Sequence, residues 1–201
     1  MPGLQHPERE MDWNVQVEVL EDIRRVNEIF ATGVFTPIQD IEDDLGDDNI
    51  QELFRLHPLF RSALIEVLIG LRDLMWKATT YATRINFTED VIITDQVRDV
   101  TDLVKYMRDA LCHPDSNNHR IATSLISGNI IVGKGRLLTV GEVSLESNYE
   151  DDICLLIGKQ RIYLARHIKR AFLQSVTTLQ PLLPPAFGKS LIRDAILSVS
   201  R

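Results

Sequence analysis

Apolar residues recur at helical spacing in several stretches of this chain, and at shorter, strand-like spacing in a region between them. Val15, Val19, Ile23, Val26 and Phe30 predict a helix over about 11–32, with Gly33 and then Pro37 as its stop. After an acidic loop at 40–48, Asp48 and Gln51 have capping-box spacing and predict a short helix from about Asn49. Pro58 suits the first turn of a long helix reaching about Ile85, apolar at Phe60, Leu64, Val67, Leu68, Leu71, Leu74, Met75, Ala78 and Ala82. Because Ile65, Ile69 and Trp76 make it greasy on more than one face, it should be the central helix or one that meets a second subunit. Val97, Val100, Val104, Met107 and Leu111 form one clean stripe and predict a third helix over about 95–112. Pro114 disfavours helical geometry at His113 and ends it.

The pattern then changes. Short runs rich in Val, Ile and Leu at 129–132, 136–143, 152–157 and 161–164 are separated by Gly133-Lys134-Gly135, a polar run at 146–150, and Gly158-Lys159-Gln160. They predict two hairpins or a small meander, an insertion over 125–164 in a helical frame. Leu164, Ile168, Phe172, Val176 and Leu179 predict a last long helix over about 163–180. Pro181, Pro184 and Pro185 break the chain before a C-terminal amphipathic appendage, 184–201, carrying Leu191, Ile192, Ala195 and Ile196. The expectation is a mainly α fold: one domain over 1–201, an up-and-down bundle of about four to five helices with a small antiparallel β insertion before the last long helix.

Composition changes this picture in two places. The polar N-terminal segment does not read as a signal peptide, and the longest apolar stretch, around Leu64 to Leu71, falls short of the ~20 residues that span a bilayer. The reading is therefore a cytoplasmic protein without membrane contact, whose distant cysteines, Cys112 and Cys154, are reduced thiols. The net charge of −7 argues against a polyanion partner, but the charge is unevenly spread. Residues 1–52 hold 14 Asp/Glu against 3 Lys/Arg, whereas 153–193 hold seven Lys/Arg and no acid. A local basic surface of this kind can attract nucleic acid; a solvated face balancing the acidic segment is the equally simple alternative.

The stretch with the most chemistry is Arg108-Asp109-Ala110-Leu111-Cys112-His113. An arginine holds a phosphate and a histidine moves its proton. With 16 Arg and 5 His, however, roughly one chance match to that spacing is expected, and Arg161 to His167 is a second one. On a helical wheel Asp102, Tyr106, Asp109 and His113 lie opposite the apolar stripe, flanked by Arg108 and Lys105. Asp109, four residues before His113, could accept a hydrogen bond from its imidazole. Polar residues opposite a core stripe are also what a solvated face looks like. A metal set drawn from Asp109, His113, Asp115 and His119 has suitable atoms but no recognised spacing, so neither metal nor cofactor is expected.

The run from Leu103 to His113 resembles the signature of the HEPN superfamily, helical domains with an Arg, a polar residue after it and a His four to six residues on; Arg108, Asp109 and His113 match one for one. At the rival match, apolar Ile162 follows Arg161. The β insertion departs from the minimal bundle and resembles a plasmid- or phage-associated branch, of toxin–antitoxin or defence type. The resemblance implies a metal-independent endoribonuclease acting as a homodimer, with His113 as general base or acid, Arg108 on the phosphate and Asp109 orienting the pair. Tyr106, Asp102, Ser116 and His119 would support the site, and Lys105, Lys159, Arg161, Arg166, Lys169 and Arg170 would contact RNA. An antitoxin protein is a further possible partner. Some members carry a modified tyrosine two places after the histidine; here that place is Asp115. Other members are inactive, so a non-catalytic module for protein interaction or nucleic-acid binding is the alternative.

Overall fold

The computed structural model describes residues 10–40, 53–113 and 115–199. Five helices and nine strands occur in the order α1 (Trp13–Ala31), β1 (Ile38–Asp40), β2 (Leu53–Arg55), α2 (Phe60–Tyr81), α3 (Val100–Cys112), β3 (Arg120–Ile121), β4 (Ser124–Leu125), β5 (Ser127–Val132), β6 (Gly135–Val140), β7 (Val143–Ser147), β8 (Ile153–Ile157), β9 (Gln160–Tyr163), α4 (Arg170–Leu179) and α5 (Pro185–Val199). The strands form four small antiparallel sheets: the hairpins β1–β2, β3–β4 and β6–β7, and a three-stranded sheet in the order β5-β8-β9.

The expectation of a mainly α bundle is therefore wrong: the fold is mixed α/β, and β8 supplies the physical reason. All five of its residues are buried. Its side chains alternate between two cores, as the two-residue period of a strand requires. Ile153, Leu155 and Ile157 join the core of the helices. Cys154 and Leu156 face the other way and pack with Ile121, Ile126, Leu145 and Tyr163 into a second core. A sheet that closes one core and builds another is a layer of the fold, not an ornament on a bundle. The Cys154 thiol, sealed in that second core, is pushed up to about 12 by desolvation.

Among the helices, α2 is central and packs on α1, α3 and α4. Its Lys77 is 5% exposed and reaches α1, with Nζ 2.8 Å from Asp22 and 3.3 Å from Glu18. Burial raises the Asp22 carboxyl although Lys77 pulls the other way. The C-terminal helix α5 packs on α1 and α4, where the Ser198 hydroxyl donates to Asn27 Oδ1 at 2.8 Å.

Several predicted boundaries moved for identifiable reasons. The third helix starts at Val100, not near 95, because Asp99 caps it: its backbone is extended and its carboxylate accepts from Asp102 N–H at 3.0 Å. The last long helix opens with a π turn, Leu164–Lys169, before α4 becomes regular. The acidic loop and the start of the short helix predicted near Asn49 lie outside the described residues; where the chain is described again it forms strand β2.

Candidate functional site

The α3 helix presents one buried side and one polar side. Val100, Leu103, Val104, Met107, Ala110 and Leu111 are buried, which fixes the rotation of the helix. At its start, Arg84 donates to both Asp99 oxygens at 2.8 and 2.9 Å and to Asp102 at 2.7 Å, while Arg98 Nε donates to Asp102 at 2.8 Å. Burial alone would raise the Asp102 carboxyl, but hydrogen bonds from Arg98 and Arg84 outweigh it and hold the group low. Asp102 is thus committed to holding the helix entrance.

At the other end, His113 is the C-cap and its backbone turns extended. Buried His119 donates from Nε2 to the Ala110 carbonyl at 2.8 Å, satisfying one of the acceptors that a helix end leaves open. This leaves Nδ1 of His119 without a protein partner. Ser116 caps the following turn, its hydroxyl accepting from Asn118 N–H at 3.2 Å. Ser116 and His119 therefore shape the loop. Among the described residues no group of three or more His, Cys, Asp or Glu side chains comes together, so Asp109, His113, Asp115 and His119 do not form one.

The motif residues lie between these ends. Arg108 Nη1 donates to Asp109 Oδ1 at 2.8 Å, and that bond raises the guanidinium pKa further. Arg108 Nε is buried and has no acceptor among the described residues. The expected contact between the Asp109 carboxylate and the His113 imidazole is not made; the two residues share only the backbone bond from His113 N–H to Asp109 O, at 3.1 Å. The His113 ring is exposed and makes no hydrogen bond among the described residues.

A polar cleft of about 510 Å³ runs along this face, lined by Asp95, Gln96, Arg98, Asp102, Lys105, Tyr106, Asp109 and Asn118. Lys105 is exposed, while desolvation raises the half-buried Tyr106 hydroxyl. That hydroxyl donates to the Asn118 carbonyl at 2.8 Å. Gly158, in the β8–β9 turn at φ +54°, closes the same corner: a Cβ there would stand 2.0 Å from Asn118 O and 3.1 Å from Tyr106 Oη. Sequence reading placed Asn118 in a loop that could line the site but missed Gly158 as part of this corner. The only available signal was the Gly-Lys turn, whose partner 40 residues away cannot be read from spacing.

The rival pair behaves differently. His167 is fully buried; its Nδ1 accepts from Tyr163 N–H at 3.1 Å, and its Nε2 donates to the Glu89 carbonyl at 3.0 Å. Burial lowers its pKa, so the ring is held neutral. Arg161 donates to the Glu146 carbonyl at 3.3 Å and lies beside the Tyr163 ring.

The other basic residues are dispersed, and most have partners. Arg166 lies 3.6 Å over the Tyr149 ring and pairs with Asp151 and Asp152. Asp152 also accepts from Ile153, Ala165 and Arg166 N–H and so caps the last helix. Lys169 donates to the Val199 carbonyl at 2.7 Å, and Arg170 pairs with Glu89 at 3.2 Å. Lys159, at the exposed tip of the β8–β9 turn, and Lys105 have no ionic partner among the described residues.

Comparison of the chain with protein-family models, with curated proteins and with solved structures returns no match.

Proposed function

We propose that this protein is a metal-independent endoribonuclease of the HEPN type, working as a homodimer, with Arg108 and His113 as its catalytic residues. The observation that carries the reading is the state of the histidines: among the described residues, His113 alone has an imidazole with no hydrogen bond, whereas His57, His119 and His167 are engaged. A free, exposed imidazole is available to act as a general base and acid. It acts as base on a ribose 2′-hydroxyl, whose oxygen attacks the adjacent phosphorus. The P–O5′ bond breaks, a 2′,3′-cyclic phosphate forms, and the leaving 5′-oxygen takes the proton back from the His113 imidazolium, which returns to its neutral form.

Arg108 adds the electrostatic part. Asp109 steadies its guanidinium, and the solvent-facing part of that partly exposed side chain can donate to a phosphate oxygen on which charge builds. Asp109 thus positions the arginine and not the histidine. RNA supplies the 2′-hydroxyl nucleophile that DNA lacks.

The test is incubation of the full chain with RNA in EDTA, with His113→Ala and Arg108→Ala beside it. Cleavage leaving 2′,3′-cyclic phosphate ends, reduced about 10²-fold or more in each variant, supports the reading. Cleavage surviving both substitutions, or requiring a divalent metal, overturns it. The second reading is a non-catalytic nucleic-acid-binding or protein-interaction module. It is favoured by the one observation that Asp109 is spent on Arg108 and leaves His113 unoriented; RNA binding without cleavage would select it.

A further inference from the structure

A pocket of about 360 Å³ lies between the end of α1, the end of β5 and the π turn that opens the last helix, and it shares no lining residue with the cleft over α3. Its walls are mainly apolar, with Phe30, Phe35, Val132, Ile153 and Leu164 among them. This size and lining suit a small molecule.

One cation borders this apolar space. Lys169 lines the pocket, and its ammonium has a single hydrogen-bond acceptor among the described residues, the Val199 carbonyl at 2.7 Å. No carboxylate forms an ion pair with it among those residues. Asp152 is nearby, but its carboxylate already accepts from three backbone N–H groups and from Arg166. Asp151 is drawn to Arg166. Desolvation lowers the Lys169 pKa, against a smaller opposing pull from Asp152.

The same accounting selects the anion. Gly133 N–H donates to the Asp152 carbonyl at 2.9 Å and Ala165 N–H to the Asp152 carboxylate at 2.8 Å, so these pocket amides are consumed and form no phosphate cradle. Glu150 and Asp151 also line the pocket and repel a dianion about twice as strongly as a monoanion. What is left is one cation beside an apolar chamber, its other charged lining residues being Glu150, Asp151 and Asp152.

We propose that this pocket binds an amphipathic monocarboxylate, its head on the Lys169 ammonium and its aliphatic or aryl body against Phe30, Phe35, Val132 and Leu164. The site is independent of ribonuclease activity. Calorimetric titration of the full chain with octanoate and 4-phenylbutyrate, with 1-octanol as the uncharged control, tests it. Expected is saturable binding of a carboxylate about tenfold or more tighter than that of the alcohol. Lys169→Met should erase that preference while leaving alcohol binding in place, and Ala165→Trp, which fills the mouth, should remove both. Should Lys169→Met fail to fold, the carboxylate–alcohol comparison on the unaltered chain still decides. Equal affinity for acid and alcohol, affinity unchanged by Ala165→Trp, or no saturable binding of either carboxylate overturns the proposal.

Discussion

Two segments of this chain pair an arginine with a histidine at nearly the same spacing, and the fold treats them in opposite ways. At 161–167 the histidine is buried and both ring nitrogens are used: one holds the Tyr163 amide, the other ties the last helix to the Glu89 carbonyl. At 108–113 the histidine sits in solvent at a helix end; Arg108 and Arg161 alike keep a buried Nε–H with no partner among the described residues, so the histidines carry the difference. The first arrangement holds structure together, and the second leaves an imidazole in solvent. Spacing alone cannot separate them, because burial depends on what packs above each residue.

The sharpest way to break this contrast is at Asp152, whose carboxylate caps the last helix and pairs with Arg166. Asp152→Ala removes a buried ion-pair partner and should cost about 3–5 kcal/mol in urea denaturation. A cost under about 1 kcal/mol would mean the segment is not the brace described here. Next comes Gly158→Ala, which forces a side chain onto Asn118 at a positive φ. It should destabilise by about 3 kcal/mol and disturb the corner at Tyr106, visible as a change in the exchange rate of the amide at position 158. His167→Ala leaves the Tyr163 amide and the Glu89 carbonyl unpaired, for about 2–3 kcal/mol.

His167 also gives a pH signature. Burial lowers its pKa below the solution value of about 6.5, so the unfolded chain takes up the proton first. Its contribution is whole above that value and is lost as pH falls towards the buried pKa, with a slope of at most about 1.4 kcal/mol per pH unit. Urea midpoints measured downwards from neutral pH should fall less steeply in His167→Gln. An unchanged slope would show that the ring is not held neutral. The smallest effect belongs to His113→Ala, which should stay within about 0.5 kcal/mol of the unaltered chain, as expected for an exposed ring without partners. A large loss there would erase the contrast.

Much of the helical framework was legible from the chain. The stripe through Val100, Val104, Met107 and Leu111 marked the buried side of α3, and the multi-sided apolar surface of α2 marked it as central. The weight of the β region was misread. In the run Ile153 to Ile157 every residue is apolar, and such a run shows that both faces are covered without showing that each face closes a different core. The basic residues were misleading for a related reason: Arg166, Lys169 and Arg170 cluster in sequence, yet each turns to a different partner, Asp152, Val199 and Glu89.

By itself the sequence determined the local quantities: helix phase, the breaks at Gly and Pro, and the placing of Arg108, Asp109 and His113 in one short segment at a helix end. These follow from backbone geometry over a few residues. The tertiary structure decided which arginine–histidine pair was buried, that Asp109 holds Arg108 and not His113, and that β8 divides two cores. Those outcomes depend on contacts between residues far apart in the chain, such as His167 with Glu89 and Gly158 with Asn118, and no local spacing records them.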